Sequence, residues 1–88
     1  MKAVPRLLDA AYADACQRHQ EFPDEIDSMG TILAEELLEV ATAGMRALQA
    51  INDHRDAGAH LDNVRAELAH VNAVTRRSLE GLEGESQC

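Results

Sequence analysis

The chain of 88 residues is long enough for one domain, and its 16 acidic residues against 8 Lys and Arg leave a formal charge of −8. This acidic balance argues against nucleic acid or an anionic membrane as the main partner, because both are bound through basic patches. Hydrophobic residues make up 45% of the chain with only one Tyr, one Phe and no Trp, so any core must be built from aliphatic side chains.

The first predicted helix covers about residues 5–20. Pro5 suits a first helical turn, and Pro23 ends the helix. An acidic loop follows, in which Asp27 or Ser28 is available as the N-cap of the next helix. Apolar side chains recur every three or four residues in this helix, which is the spacing of one helical face. The members of that face are Leu8, Ala11, Tyr12, Ala15, Cys16 and His19.

The second predicted helix covers about residues 29–52 and has two apolar faces. At ~100° per residue, its apolar side chains separate into a leucine-rich face and an alanine-rich face on nearly opposite sides. A helix that is apolar on two sides is expected to pack on its own core with one face and on a partner subunit with the other. The leucine-rich face comprises Leu33, Leu37, Val40, Ala41, Leu48 and Ile51, and the alanine-rich face comprises Ile32, Ala43, Ala47 and Ala50.

A polar linker leads to a third predicted helix, over about residues 61–82, with Gly81 and Gly84 marking its end. Short linkers between long helices indicate antiparallel neighbours, and no strand-like alternation occurs. The sequence therefore predicts an all-α helical bundle, formed by a single domain over residues 1–88 with residues 1–4 and 84–88 flexible. The side of the third helix that is expected to pack against its neighbours is a seam of Leu61, Val64, Leu68, Val71, Thr75, Ser78 and Leu82.

The cysteines and the N-terminal segment set the expected compartment. Cys88 lies at the end of a polar tail, so we expect no intrachain disulfide with Cys16 and a reducing environment. No apolar run approaches the roughly 20 residues of a membrane span. Asp9 and Asp14 interrupt the segment in which a signal-peptide core would lie. These features predict a cytoplasmic protein with no membrane partner.

Two pairs of ionisable side chains are spaced three residues apart. Glu36 and Glu39 project from neighbouring turns on the alanine-rich face of the second helix, where repulsion and burial call for a cation or protons. Glu67 and His70 form the second pair, beside the seam of the third helix. If the two helices face each other, the four side chains converge as in bundle-core metal sites, and Mg²⁺ suits the oxygen ligands. The alternative is that all four are solvated surface residues.

These pairs lie in two segments that resemble a known family. Residues 30–41, which read GTILAEELLEVA, resemble the first motif of MazG-like all-α nucleotide pyrophosphohydrolases, Glu-Glu-x-x-Glu in an apolar stretch. Residues 67–70, which read ELAH, correspond to the second motif, Glu-x-x-Asp, so His70 stands where the family has Asp. Residues 18–23 resemble the entry to the first motif in short, phage-type members, and the whole resemblance spans roughly residues 18–82.

The resemblance implies a magnesium-dependent nucleoside triphosphate pyrophosphohydrolase, which releases a nucleoside monophosphate and pyrophosphate. The implied metal ligands are Glu36, Glu39, Glu67 and His70. Mn²⁺ is the alternative ion, because imidazole is a softer ligand than carboxylate. Glu35 or Glu39 is the implied acceptor of the proton from the attacking water. Family members are dimers or tetramers, so a homodimer or homotetramer is expected, in agreement with the two-faced second helix.

Two other interpretations remain open. A catalytically degenerate relative is favoured by the change at His70 and by the lack of a lysine-rich phosphate clamp. The alternative is a non-enzymatic helical oligomer that binds other proteins and whose glutamates are surface residues. The arginines available as phosphate partners are Arg46, Arg65, Arg76 and Arg77.

Overall fold

All regular elements in the described part of the chain are α-helices. The computed structural model describes residues 3–18, 25–85 and 88, and no strand occurs among them, which confirms the all-α prediction. Ala and Leu, which have high helix propensities, are frequent in all three helices. None of the helices in these ranges combines the length and apolarity that a membrane span requires. The helices are α1 (Ala3–Arg18), α2 (Ile26–Asn52) and α3 (Gly58–Glu83).

α2 begins earlier than the sequence indicated. It starts at Ile26 rather than Met29, and its N-cap residue is Glu25, whose side chain makes no capping hydrogen bond. The predicted N-cap at Asp27 or Ser28 is therefore wrong. Asp27 lies instead in the first turn of the helix, where its negative charge interacts favourably with the helix dipole.

A tight linker, residues 53–57, joins α2 to α3. His54 adopts the left-handed conformation with φ 56°, which reverses the chain directly after α2. The Asp56 carboxylate accepts a hydrogen bond of 2.9 Å from the Gly58 N–H, so it satisfies one of the unpaired donors of the first turn. This local bond explains why α3 begins at Gly58 and not at the predicted Leu61.

α3 is the middle helix of an open layer. It contacts both α1 and α2, whereas the backbones of α1 and α2 do not meet within the described ranges. The molecule measures 47 × 32 × 18 Å, so the layer is about as thick as two packed helices at most. Most of the buried side chains are small, which lets neighbouring helices approach closely. The α1–α3 core consists of Ala11, Tyr12, Ala15, Ala69 and Ala73.

α2 packs within the chain through its alanine-rich face. Ala43, Ala47 and Ala50 are buried, and α3 is the helix that α2 contacts. The leucine-rich face is open to solvent, as Leu37 and Leu48 show with exposures of 58% and 49%. The two-faced character predicted for this helix is therefore present, with one face used and the other uncovered.

The seam predicted for α3 is wrong. Leu68 is 53% exposed, and Ser78 is the only member of that seam that is buried. Because α3 is contacted by a helix on each of two sides, its small side chains face those neighbours and its leucines point elsewhere. The residues that α3 buries are Ala69, Ala73, Val74, Arg77 and Ser78.

Polar contacts join α1 to α3 beside the alanine core. The Tyr12 hydroxyl donates a hydrogen bond of 2.6 Å to the Glu80 carboxylate, and the Arg76 guanidinium lies 3.8 Å from the centre of the Tyr12 ring. Arg77, which is buried, donates from Nη1 to the Ala15 carbonyl at 3.1 Å. This acceptor lies in the last turn of α1, where a cation also interacts favourably with the helix dipole.

A disulfide connects the C-terminal residue to α1. Cys88 is bonded to Cys16, with Cα atoms 5.5 Å apart, so the expectation of two reduced cysteines is wrong. Gly84 ends α3 in the left-handed conformation, and Cys88 lies beside α1. The bond also removes the support that reduced cysteines gave to a reducing compartment. At the other terminus Ala3 and Val4, expected to be flexible, lie in α1.

Candidate metal centre

The packing of α2 on α3 brings the two predicted pairs together. The ligand atoms of Glu36, Glu67 and His70 all lie within 4.8 Å of one another. The helices are antiparallel, since Glu36 shares a cavity with His70, whereas Arg46, later in α2, shares another with His60, earlier in α3. The convergence expected from the i, i+3 spacing is therefore present for one member of the α2 pair and both members of the α3 pair.

One oxygen of Glu36 and one of Glu67 are buried and have no hydrogen-bond partner in the described part of the chain. A buried carboxylate oxygen without a partner costs free energy, and native proteins satisfy nearly all such atoms. The Nδ1 atom of His70 lies 3.9 Å from the unsatisfied Oε2 of Glu67, which is too far for a hydrogen bond. Both oxygens are therefore positioned to accept a cation.

Burial and the neighbouring carboxylates also raise the pKa of Glu36 and of Glu67. Burial raises the pKa of Glu36, and repulsion from Glu39 raises it further. Burial also raises the pKa of Glu67, and a hydrogen bond with Glu39 that stabilises the protonated form adds to it. His70 acts in the opposite direction and lowers the pKa of both. Raised values are expected for carboxyl groups held together without sufficient positive charge, which a divalent cation would supply.

The two predicted catalytic residues are placed differently. Glu39 is exposed and interacts with both Glu36 and Glu67, although it is not one of the three residues whose ligand atoms lie mutually close. Its side chain lines a groove between α2 and α3. Glu35 is also exposed, and it raises the pKa of Glu36 by electrostatic repulsion. Glu39 therefore adjoins the group of Glu36, Glu67 and His70, whereas Glu35 lies outside it.

Cavities lie on both sides of the group. On the α1 side, Glu36 and His70 line a cavity of about 40 Å³ together with Asp14 and Arg18, which form an ion pair at 3.0 Å. On the other side, the α2–α3 groove has a volume of about 380 Å³. A ligand of nucleotide size would therefore reach the carboxylates from the groove, past Glu39.

Four residues beside the group were not singled out by the sequence. Asp14 and Arg18 lie on α1, and no pattern in the sequence indicates which face of α1 meets Glu36 and His70. His60 and Asn63 lie in the first turns of α3 and line the groove. Their positions follow once the pairing of α2 with α3 is known.

Comparison of the chain with models of protein families, with curated proteins and with solved structures found no match. The MazG-like resemblance therefore depends on the two motifs and on where their side chains lie. Residues 19–24 are outside the described residues. They include most of the predicted entry segment 18–23, and with it His19, which was also predicted on the apolar face of the first helix.

Proposed function

We propose that this chain is a nucleoside triphosphate pyrophosphohydrolase of the MazG-like type, dependent on Mg²⁺ or alternatively on Mn²⁺. The observation that carries the proposal is the pair of buried, unpartnered carboxylate oxygens of Glu36 and Glu67 within reach of the His70 imidazole. Oxygen ligands are those that Mg²⁺ prefers. When these carboxyl groups are ionised and no cation is bound, the arrangement costs stability, which supports a metal-binding role.

In the proposed reaction, water is added across the bond between the α and β phosphates, which yields a nucleoside monophosphate, pyrophosphate and a proton. Glu36, Glu67 and His70 would hold a divalent cation, which would neutralise the phosphate charge. Glu39 lies beside these ligands and faces the groove, so its carboxylate is placed to accept the proton that the attacking water loses. Glu35 is the second candidate for this role, and its position outside the group favours Glu39.

Pyrophosphate release from a panel of nucleoside triphosphates, with Mg²⁺ or Mn²⁺, tests this proposal. Glu39→Gln is expected to abolish release and to leave the helical circular dichroism spectrum unchanged, because the amide keeps the size of the side chain but cannot accept the proton. Glu83→Gln, at an exposed position in the last turn of α3, is the matched control and should retain activity. Wild-type rates for Glu39→Gln would contradict the assignment of the base.

The role of His70 is tested by restoring the residue that the resembled family has there. His70→Asp exchanges an imidazole nitrogen for a carboxylate oxygen, so it is expected to tighten Mg²⁺ binding and to reduce the preference for Mn²⁺. Calorimetric titration of the wild type and the variant with each ion measures both effects. Unchanged affinities for both ions would show that His70 is not a ligand.

A non-catalytic helical oligomer is the second candidate function. The observation that favours it is the breadth of apolar surface on the open layer, including the leucine-rich face of α2. Such a protein could retain the carboxylate group as a metal-binding remnant. A metal-dependent rise in Tm with no pyrophosphate release from any nucleotide in the panel would support this candidate over the enzyme.

A further inference from the structure

We infer that the α2–α3 groove binds the phosphate chain of the substrate and that Arg46 is the residue that holds it. This inference rests on the proposed function and adds the residue that recognises the ligand. The groove volume of about 380 Å³ lies within the usual range for small-molecule sites. Two cavities lie on the α1 side. The one that Glu36 lines, at about 40 Å³, has room for little more than a water molecule or an ion, and a larger one of about 240 Å³ reaches His70 but neither Glu36 nor Glu67.

The groove carries opposite charges at different positions along α2. Glu39 and Arg46 both line it, and a separation of seven residues places them on the same side of the helix, two turns apart. Side chains on a helix tend to lean toward its N-terminus, which for Arg46 is the direction of Glu39. A cation at the carboxylates and the guanidinium beyond them would face different phosphate groups of one ligand.

The opposite wall of the groove is formed by the start of α3. His60 and Asn63 line the groove there, and their side chains offer ring nitrogens and an amide for hydrogen bonds with a ligand. This wall lies within the first two turns of a helix of 26 residues, so the positive end of the helix dipole favours an anionic ligand on the same side. Both walls therefore favour phosphate at the end of the groove away from Glu67.

Arg46 has no ion pair or hydrogen bond within residues 3–18, 25–85 and 88, although the chain contains 16 acidic residues. A guanidinium binds phosphate oxygens through two parallel hydrogen bonds, so an arginine without a protein partner beside a carboxylate group is suited to such a ligand. Arg6, on α1, is the other arginine in these ranges without a partner, and it does not line the groove. The arginines with partners are Arg18, Arg55, Arg65, Arg76 and Arg77.

Calorimetric titration with imidodiphosphate, a diphosphate that is not cleaved, tests the inference. The wild type, Arg46→Ala, Arg46→Lys and Arg6→Ala are each titrated with Mg²⁺ alone and with imidodiphosphate at saturating Mg²⁺. Arg46→Ala is expected to weaken imidodiphosphate binding about tenfold to hundredfold and to leave Mg²⁺ binding within about twofold, because only charge-assisted hydrogen bonds to phosphate are lost. Arg46→Lys should retain part of the affinity, since the charge remains and the paired geometry is lost.

Arg6→Ala is the matched control, because it removes an exposed arginine without a partner from a different helix, and its affinity should equal that of the wild type. Equal imidodiphosphate affinities for Arg46→Ala and Arg6→Ala would overturn the inference. So would a wild type that binds Mg²⁺ but no imidodiphosphate, and in both cases the proposed metal centre would stand.

A wild type that binds no Mg²⁺ and no Mn²⁺ would overturn the proposed function instead. Titration with imidodiphosphate in EDTA then tests whether the groove binds phosphate without a metal ion. An affinity that depends on Arg46 supports the inference, and the absence of binding overturns it. Circular dichroism melting of every variant establishes that it is folded. If Arg46→Ala does not fold, Arg46→Lys supplies the comparison with Arg6→Ala.

Discussion

Glu36 is a carboxyl group whose position costs stability unless it is protonated or a cation binds. In the folded protein its pKa is raised above the ordinary value of 4.5, so the folded state binds the proton more tightly than the unfolded chain does. The stability that this contributes is present in full below 4.5 and is lost as the pH rises through the raised pKa. Above that window the metal-free protein retains an uncompensated negative charge at Glu36.

We therefore predict that Glu36→Gln raises the Tm of the metal-free protein at neutral pH and gives no gain below pH 4.5, the ordinary pKa value. The amide removes the charge that Glu39 repels, and below that pH Glu36 is already protonated. Scanning calorimetry in EDTA at both pH values measures the difference. Saturating Mg²⁺ should reverse the order, because only the wild type keeps the full ligand set.

Glu25→Gln, an exposed carboxyl change at the N-cap of α2 with no side-chain capping bond to lose, is the control for the loss of one negative charge. A Tm gain for Glu36→Gln that is the same at both pH values, or that Glu25→Gln matches, would show that the carboxylate repulsion is not its cause.

The members of the candidate site could largely be predicted from spacing. The i, i+3 pairs predict that Glu36 and Glu39 share one side of α2, and that Glu67 and His70 share one side of α3. The spacing does not specify how deep each side chain lies, which is why the exposure of Glu39 and the burial of one Glu36 oxygen had to come from the structure.

At the scale of the helices, the number and order of the elements follow from the sequence, but their contacts do not. The seam around Leu68 and the face around Ala69 and Ala73 both repeat at three and four residues, so periodicity cannot choose between them. The predicted seam places the larger side chains at the helix contacts, whereas the structure mostly buries smaller ones. α3 lies between two closely packed neighbours, and close approach favours alanine at both contacts, which leaves Leu68 exposed.

The pairing of α2 with α3 explains why the groove was not found from the sequence. In an antiparallel hairpin, a step forward along one helix matches a step back along the other. Once Glu36 is paired with His70, Arg46 must therefore lie near His60. The sequence contains all four residues, but the spacing alone does not establish that these sides of α2 and α3 face each other.

The disulfide is expected to stabilise the junction of α1 with α3. In the described ranges the backbone of α1 approaches only that of α3, and Tyr12 is the only large side chain that is buried in the core between them. The bond between Cys16 and Cys88 spans a sequence separation of 72 residues, and restriction of the unfolded chain by a loop of that length is worth about 4 kcal/mol. We predict that reduction lowers the Tm by at least about 10 °C, given the usual relation between stability and Tm for a small domain.

Thermal melting with and without a dithiol reductant measures this effect. Cys88→Ser is the matched variant, because it should melt at the temperature of the reduced wild type and should not respond to the reductant. If the reductant lowers the Tm of Cys88→Ser as much as it lowers the Tm of the wild type, the prediction is contradicted. Free thiols titrated in the unreduced wild type would contradict the presence of the bond itself.

At the scale of the whole molecule, the layer exposes more surface than a compact chain of its size. Its accessible area is 6324 Å², against about 5,100 Å² for a compact monomer of 9.6 kDa. Its radius of gyration is 14.7 Å, against about 12 Å for a compact chain of this length. The large apolar side chains that are exposed are Val4, Leu7, Ile26, Leu37, Leu38, Met45, Leu48, Ile51, Leu61, Leu68, Leu79 and Leu82.

We predict that a second copy covers the leucine-rich face of α2, which gives a homodimer or, with a further interface, a homotetramer. Burying about 1,200–2,000 Å² is typical of a stable pair, and a layer only 18 Å thick gains the second side of its core by such packing. Multi-angle light scattering should give two or four times the chain mass of 9.6 kDa.

Leu48→Glu places a charge on the leucine-rich face and is expected to dissociate the oligomer or lower its Tm, because an unpaired buried charge is costly. Gln49→Glu adds the same charge at the next position, which is also exposed in the single chain but lies about 100° away around the helix. It should leave the mass unchanged if the interface is confined to the leucine-rich face. A wild type that stays monomeric and stable at micromolar concentration would contradict the prediction, as would equal masses and melting temperatures for the two variants.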